Sequence, residues 1–208
     1  MSEFWKFEPA VREEAVELWT WAEDEHQWWP RTLWIDPGGT SGYCVIWFHP
    51  LRFLDGRVPL IRCIVAWEAG FLRGEEDAQV GQVVEMVREL GGSCGLTVGS
   101  ESFVVRQLNM SEAFLSPVRI RAALKNRLWS GVREWDGQVR RRPLFTQSPA
   151  DAKRTVTDER LHIWDLWTPG PDHARDATRH AILHLRKVRS TGGDSFRRAF
   201  GWEEGWSR

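Results

Sequence analysis

Apolar residues recur along the chain with two different periods, and these periods predict its elements. Over residues 8–23, apolar side chains at helical spacing on an acidic background predict an amphipathic N-terminal helix. Three short apolar runs follow and predict strands at Thr32–Ile35, Tyr43–Phe48 and Ile61–Trp67. A glycine-rich turn joins the first two runs, which predicts a hairpin.

Helices then alternate with short strands. The pattern predicts a helix over Glu75–Leu90, a strand over Leu96–Val98, a helix over Ser116–Trp129, a strand over Pro143–Thr146, and helices beginning at Pro149 and Asp172. Ser116 and Asp172 are typical N-cap residues for their helices. This order predicts an α/β fold in which a mixed sheet of five strands carries helices on its faces.

The composition is typical of a globular protein with one core. The chain has 208 residues, of which 42% are hydrophobic and 27% are charged. We expect one domain over residues 31–189, an acidic, tryptophan-rich helical extension over residues 1–30, and a flexible tail over residues 190–208. Five of the fourteen tryptophans lie in that extension, where they indicate packing on the sheet or, alternatively, a dimer, partner or base-stacking surface.

Other features of the sequence narrow the compartment. The apolar runs are shorter than the roughly 18 to 20 residues of a membrane helix, and the acidic N-terminus is unlike a signal peptide. We therefore expect an intracellular, cytoplasmic protein that does not bind a membrane. Cys44, Cys63 and Cys94 form no C-x-x-C pair, so buried thiols are expected rather than zinc ligands or disulfides.

Charge is distributed unevenly along the chain. Residues 1–30 carry 2 basic and 8 acidic side chains, whereas residues 118–208 carry 19 and 11. A polyanion would therefore meet the C-terminal half, where the candidate phosphate contacts are Arg119, Arg121, Lys125, Arg127, Arg133, Arg140, Arg141 and Arg142. The alternative interpretation is an ordinary solvated helix face.

Asp36 ends the first apolar run and begins the turn Asp-Pro-Gly-Gly-Thr-Ser-Gly at residues 36–42. This pattern is similar to the phosphate loop of actin-like sugar kinases, and also to the first strand of RNase H-like nucleases, where the aspartate holds a divalent metal. A kinase needs a second glycine-rich loop after a strand. Gly91-Gly92 follows a helix and Gly192-Gly193 lies in the tail, so the nuclease interpretation is favoured.

Further acids and histidines support a metal site. Glu101 follows a predicted strand, and a helix from Asp172 places His173, Asp176, His180 and His184 on successive turns. A hard dication requires several oxygen ligands, and two-metal chemistry requires clustered carboxylates. The residues flanking His180 and His184 indicate a helix edge, so these two histidines are weaker candidates.

Taken together, the motifs resemble the RuvC-like Holliday junction resolvases, particularly the phage members. The resemblance spans Leu33 to Arg189. It rests on DPGGTSG at 36–42, ES at 101–102, LSPVRIRAAL at 115–124, QSPADAKRTVTDERL at 147–161 and HARDATRHAI at 173–182. It implies an RNase H-like fold and a homodimer that cuts four-way DNA junctions with two symmetric nicks.

The resemblance also implies roles for individual residues. Asp36, Glu101, Asp176 and His173 would be catalytic and would hold two Mg²⁺ or Mn²⁺ ions, with Asp172 as a possible further site residue. Lys153 would contact phosphate, as would Arg154 or Arg160 in place of a second lysine of the family. Arms that bind branched DNA would lie on the helix from Ser116 and on the Arg140–Arg142 run.

Two other interpretations stay open. One is another RNase H-like nuclease that acts on branched, flap or RNA-containing substrates. The other is a catalytically silent DNA-binding module of the same fold.

Overall fold

The computed structural model describes residues 29–92, 95–103 and 112–200. The predicted helix over residues 8–23, nearly all of the N-terminal extension and Cys94 lie outside these ranges. Cys44 and Cys63 are free, buried thiols, as predicted. Within the described residues, no helix combines the length and apolarity required to cross a bilayer.

A mixed five-stranded sheet forms the centre of the protein, as predicted. The strands of the described residues are β1 (Arg31–Asp36), β2 (Gly42–Phe48), β3 (Ile64–Phe71), β4 (Leu96–Glu101), β5 (Val132–Arg133), β6 (Val139–Arg140) and β7 (Leu144–Gln147). The sheet order is β3-β2-β1-β4-β7, and β5 and β6 form a separate ribbon. The hairpin β1–β2 and the pair β2–β3 are antiparallel, whereas β4 is parallel to both β1 and β7.

Helices cover both faces of this sheet, again as predicted. They are α1 (Pro50–Leu54), α2 (Glu76–Leu90), α3 (Glu112–Ser130), α4 (Pro149–Thr155), α5 (Asp158–Ile163), α6 (Asp172–Ser190) and α7 (Gly193–Phe200), with a 3-10 helix at Leu60–Cys63. On one face, α2 and α3 bury Val83 and Leu124 against the sheet. On the other face, α6 buries small residues such as Ala177 and Ala181, which lets its backbone lie close to β1 and β2.

Two predicted N-caps are wrong. Helix α3 begins at Glu112, so Ser116 and Pro117 lie inside it, and the Ser116 hydroxyl faces the Gly38 carbonyl oxygen at 3.5 Å. The N-cap of α6 is Pro171, and Asp172 is the first residue of the helix. The carboxylate of Asp172 accepts from Arg175. Asp172 thus pairs with a guanidinium one turn further along α6.

The prediction of a flexible tail is wrong for residues 193–200. These residues form α7, whose Phe196 and Phe200 are fully buried. Their rings pack at centroid distances of 5.3 Å from Phe53 and 5.0 Å from Phe48, respectively. The end of α7 lies so close to the start of β4 that a Cβ atom at Gly95 would overlap the Phe200 backbone. Two phenylalanines one helical turn apart thus outweigh the preceding Gly192-Gly193 pair.

Candidate metal centre

Three carboxylates meet at one edge of the sheet. Because β1, β4 and β7 are parallel, their carboxyl ends share this edge, where Asp36 and Glu101 are the last residues of β1 and β4. Asp176 reaches the same edge from the second turn of α6. One ligand oxygen from each of the three lies within 4.8 Å of the others. The predicted set of acids is therefore brought together.

Glycines in the β1–β2 turn make room for α6. A Cβ atom at Gly42 would overlap the backbone of His173 and Ala174, and one at Gly38 would lie 3.1 Å from the His173 imidazole. The glycine-rich sequence after Asp36 thus serves the approach of a helix. It places the first turn of α6 directly against the end of β1.

His173 is hydrogen bonded to Asp36. Its Nδ1 lies 2.7 Å from Asp36 Oδ2, and 40% of the imidazole is exposed. This hydrogen bond raises the pKa of His173, with smaller contributions from the charges of Asp36, Asp176 and Glu101. Burial raises the pKa of Asp36 as well, because desolvation outweighs the opposing effect of the imidazole.

Two cations contact Asp176. Lys153 Nζ lies 2.9 Å from Oδ2, and Arg179 donates to Oδ1. Burial is the main cause that raises the pKa of Asp176, and the Lys153 ammonium opposes it. Arg179 also pairs with Asp158 and donates to the Val156 carbonyl oxygen at 3.0 Å. These contacts fix the start of α6 to α4 and α5.

Glu101 is held by His180, which was only a weaker candidate in the sequence. His180 Nε2 lies 3.1 Å from Glu101 Oε2, and Nδ1 lies 3.2 Å from the Gln147 side-chain amide. The imidazole is fully buried and stacks on Trp34 at 5.6 Å. A Cβ atom at Gly99 would overlap this indole, so the glycine of β4 makes room for it. The signal was the spacing of His180, one turn after Asp176.

The other weaker candidate, His184, lies in the core. Its ring is 5.3 Å from that of Trp34 and 5.0 Å from that of Phe145. Within the described structure, its Nε2 is buried without a hydrogen-bond partner. Burial lowers the pKa of His184 to about 4. This histidine is therefore a neutral packing residue that does not face the carboxylates.

Among the predicted site residues on α4 and α6, Lys153 joins the centre, whereas Asp172 and Arg154 do not. Lys153 lies at the centre, in contact with Asp176. Asp172 is 71% exposed and pairs with Arg175 outside the group of three acids. Arg154 is 81% exposed and pairs with Asp151. Arg154 thus follows Lys153 in the sequence but pairs with Asp151 rather than with an acid of the centre.

Arg175 was not predicted and shapes the loop before α6. Its guanidinium donates to the carbonyl oxygens of Thr168 at 3.0 Å and Gly170 at 2.7 Å. It also lies 4.4 Å from the centroid of the Trp167 ring. These contacts hold the segment that leads into the first turn of α6, and therefore the position of His173.

The Arg140–Arg142 run, which was predicted to lie on a DNA-binding arm, lies near the amino end of β4, away from the three acids. Arg142 donates to the Leu96 carbonyl oxygen at 2.7 Å, at the start of β4. The length of β4 separates this point from Glu101 by about 17 Å. Arg140 and Arg142 also pair with Glu134, whose side chain is fully buried. Their charges therefore compensate a buried carboxylate, whereas Arg141 is exposed.

The basic residues of α3 begin near the centre and lead away from it. Ser116 lies beside the β1–β2 turn, whereas Arg127 is eleven residues further, or about 16 Å along the helix. Arg119 pairs with Glu76 through Nε at 2.7 Å. Lys125 and Arg127 are exposed, and Arg121 is half-buried. Arg133, beyond the helix, donates to the Gly137 carbonyl oxygen.

The donor set at the sheet edge fits a hard divalent cation. All three clustered ligands are carboxylates, the type that Mg²⁺ and Mn²⁺ bind. Burial and mutual repulsion disfavour the charged forms of Asp36 and Asp176, so a dication would relieve an existing electrostatic cost.

In comparisons with known proteins, no family model matches this chain and no curated protein matches it significantly. The α/β architecture, with its mixed five-stranded sheet, is compatible with an RNase H-like fold.

Proposed function

We propose that this protein is a metal-dependent, structure-selective DNA endonuclease with an RNase H-like fold, and that it resolves four-way junctions in the manner of the RuvC-like enzymes. The observation that carries this proposal is the meeting of Asp36, Glu101 and Asp176 within 4.8 Å at the carboxyl edge of parallel strands. Hydrolysis of a phosphodiester by a two-metal mechanism requires such a cluster, because several carboxylates together are needed to offset paired dications.

The three carboxylates would hold Mg²⁺ or Mn²⁺, and two such ions supply Lewis-acid stabilisation of the phosphoryl oxygens and a more acidic water. His173 would act in proton transfer. Its Nδ1 is tied to Asp36 at 2.7 Å, which orients the partly exposed ring and leaves Nε2 to exchange a proton with the attacking water. The contact between His180 Nε2 and Glu101 Oε2 would orient the Glu101 carboxylate.

Lys153 would bind the DNA phosphate. Its side chain is 55% exposed while its ammonium contacts Asp176, so it can turn towards a phosphate oxygen without unfolding any element. That movement would free Oδ2 of Asp176 as a ligand. A second copy of the chain would supply the second nick, because a two-fold dimer matches a nearly two-fold junction.

The test is cleavage of a synthetic four-way junction beside a linear duplex of the same sequence, with Mg²⁺, Mn²⁺ or EDTA. We expect paired, symmetric nicks in the junction alone, abolished by EDTA and by Asp36→Asn. The control Asp194→Asn removes an 86% exposed carboxylate on α7 and should cut normally. Equal cutting of the duplex would indicate a less selective RNase H-like nuclease. Absence of metal-dependent cutting would refute the proposed chemistry.

One observation favours a second candidate, a catalytically silent DNA-binding module. Lys153 and Arg179 already compensate the charge of Asp176, as cations do in a purely structural cluster. Thermal unfolding with added Mn²⁺ separates the candidates. A nuclease site should gain about 2.7 kcal/mol of stability at a metal concentration 100 times Kd, and Asp176→Asn should abolish the gain. A silent module would show neither this gain nor cutting.

A further inference from the structure

A groove runs beside α6 on the side of α4 and α5. It has a volume of about 500 Å³ and is lined by Val156, Arg160, Trp164, Ile182, Arg186 and Arg189, among others. A smaller hollow of about 170 Å³ adjoins it and shares Trp164 and Ile182. Apart from Arg160, a predicted phosphate contact, its lining has no role in the functions considered above.

Uncompensated positive charge distinguishes the groove. Arg160 donates to the Thr155 carbonyl oxygen, and Arg189 donates to those of Asp55 and Val58. Backbone carbonyls orient a guanidinium but leave its charge intact, whereas Arg140 and Arg142 are paired with carboxylates. Among the described residues that line the groove, none is acidic. An anionic ligand is therefore the complementary one.

The floor of the groove is apolar and aromatic, which narrows the class of anion. Val156 and Ile182 are buried beneath it, and Trp164, at the end of α5, packs partly into the same core. A basic rim around a tryptophan is the arrangement with which proteins bind single strands, since arginines contact phosphates while bases stack on the ring. A simple inorganic anion would gain nothing from the apolar part.

One face of α6 connects the groove to the carboxylates. Asp176, Arg179, Ile182, Arg186 and Arg189 follow one another at intervals of three or four residues, so they lie along one stripe of the helix. Arg186 is about 15 Å from Asp176 along the axis, a distance that a few nucleotides span. Arg179 marks the near end, because it contacts both Asp176 and the Val156 carbonyl oxygen.

We propose that this groove binds an unpaired DNA segment continuous with the strand at the acidic centre, with phosphates on Arg160 and Arg186 and a base against Trp164. The inference rests on the proposed function, because it takes the strand at the carboxylates as the one that continues along α6. It adds a substrate feature, a preference for junctions with unpaired nucleotides beside the cut.

The test measures binding of a fluorescent oligothymidylate of about 12 nucleotides to the full chain in EDTA, as a function of salt. We expect Arg186→Ala to weaken binding and to reduce the slope of log K against log salt by about 0.7, the value for one phosphate contact of a single strand. The matched control is Lys187→Ala, which removes the same charge one residue away, outside the groove lining. It should leave the slope unchanged.

Tryptophan variants test the stacking. We expect Trp164→Ala to weaken binding about tenfold, and Trp164→Phe to restore most of it, because a phenyl ring still offers a stacking face. Equal affinities and salt slopes for Arg186→Ala and Lys187→Ala would overturn the inference, as would a wild-type protein that does not bind the strand at low salt. Since Arg186 is exposed on a helix, its variant tests the groove even if Trp164→Ala unfolds.

Junction cutting by the same proteins in Mg²⁺ separates this inference from the proposed function. If wild type cuts junctions while the groove variants bind the strand normally, the groove inference fails and the function stands. If the groove variants lose strand binding but wild type cuts no DNA, the groove is supported as a binding site and the proposed function fails.

Discussion

The buried imidazole of His184 should make the stability of this protein depend on pH. Its side chain lies among the rings of Trp34, Phe145 and Phe200, and the residue is 5% exposed. Desolvation is the main cause that lowers the pKa of His184 to about 4, and the charge of Lys187 adds to it. In an unfolded chain, a histidine titrates near 6.5.

Acid should destabilise the folded protein, because the unfolded chain binds a proton at His184 more readily than the folded chain does. Between pH 6.5 and 4 the unfolded chain is protonated at His184 while the folded chain is not, so acid stabilises the unfolded state. The contribution of this residue is fully present above pH 6.5, falls as the pH is lowered to about 4, and is constant below that. At 1.36 kcal/mol for each unit of pKa, the total loss in unfolding free energy is about 3 kcal/mol.

Urea unfolding of wild type and His184→Leu at a series of pH values measures this loss. The carboxylates that titrate in the same range are present in both proteins, so the difference between the two profiles isolates His184. We expect that difference to change by about 3 kcal/mol between pH 7 and pH 4, to the advantage of the variant at low pH. The control His162→Leu replaces an exposed histidine and keeps the buried imidazole. Parallel profiles for wild type and His184→Leu would refute the reasoning.

Three further substitutions test the packing that positions the centre. Gly42→Ala should destabilise the protein by about 3 kcal/mol and weaken Mn²⁺ binding, because its methyl group would push α6 from β1; calorimetry of both properties checks this. Glu134→Gln should cost about 3 kcal/mol in urea unfolding by leaving buried arginine charge uncompensated, whereas Glu85→Gln, in an exposed pair, should cost at most about 1 kcal/mol. Phe196→Ala should lower the free energy of unfolding by about 3 to 5 kcal/mol, because its ring is fully buried. Arg198→Ala, at an exposed position of the same helix, should lower it by about 0.5 kcal/mol or less. Equal melting temperatures of these two variants would contradict the docking of α7.

The three acids could be predicted because each has a clear position in the sequence pattern. Asp36 and Glu101 end apolar runs, and the carboxyl ends of parallel strands necessarily share an edge. Asp176 lies on a long helix whose small residues indicate close packing. Periodicity therefore placed each acid on its strand or helix, and the resemblance to the resolvases selected the three as one set.

The remaining contacts depend on tertiary partners that periodicity does not reveal. The pattern around His180 indicated only a helix edge, because its partners Glu101 and Gln147 come from two strands. The run at Arg140–Arg142 indicated only a cluster of positive charge, because nothing in the sequence reveals that Glu134 is buried and pairs with Arg140 and Arg142. His180 thus depends on a carboxylate 79 positions away, whereas Arg140 and Arg142 depend on a carboxylate whose burial, rather than its distance along the chain, is hidden in the sequence.

The sequence separation within the centre has a consequence for synthesis of the protein. His173 and Asp36 are hydrogen bonded across 137 positions, so the centre closes one of the longest loops in the fold. On the ribosome, the strands that carry Asp36 and Glu101 emerge well before α6 supplies Asp176. A partly made chain therefore has only two of the three carboxylates. The proposed metal site would therefore be completed only with α6, and a product truncated before α6 would contain all five strands of the sheet but lack Asp176.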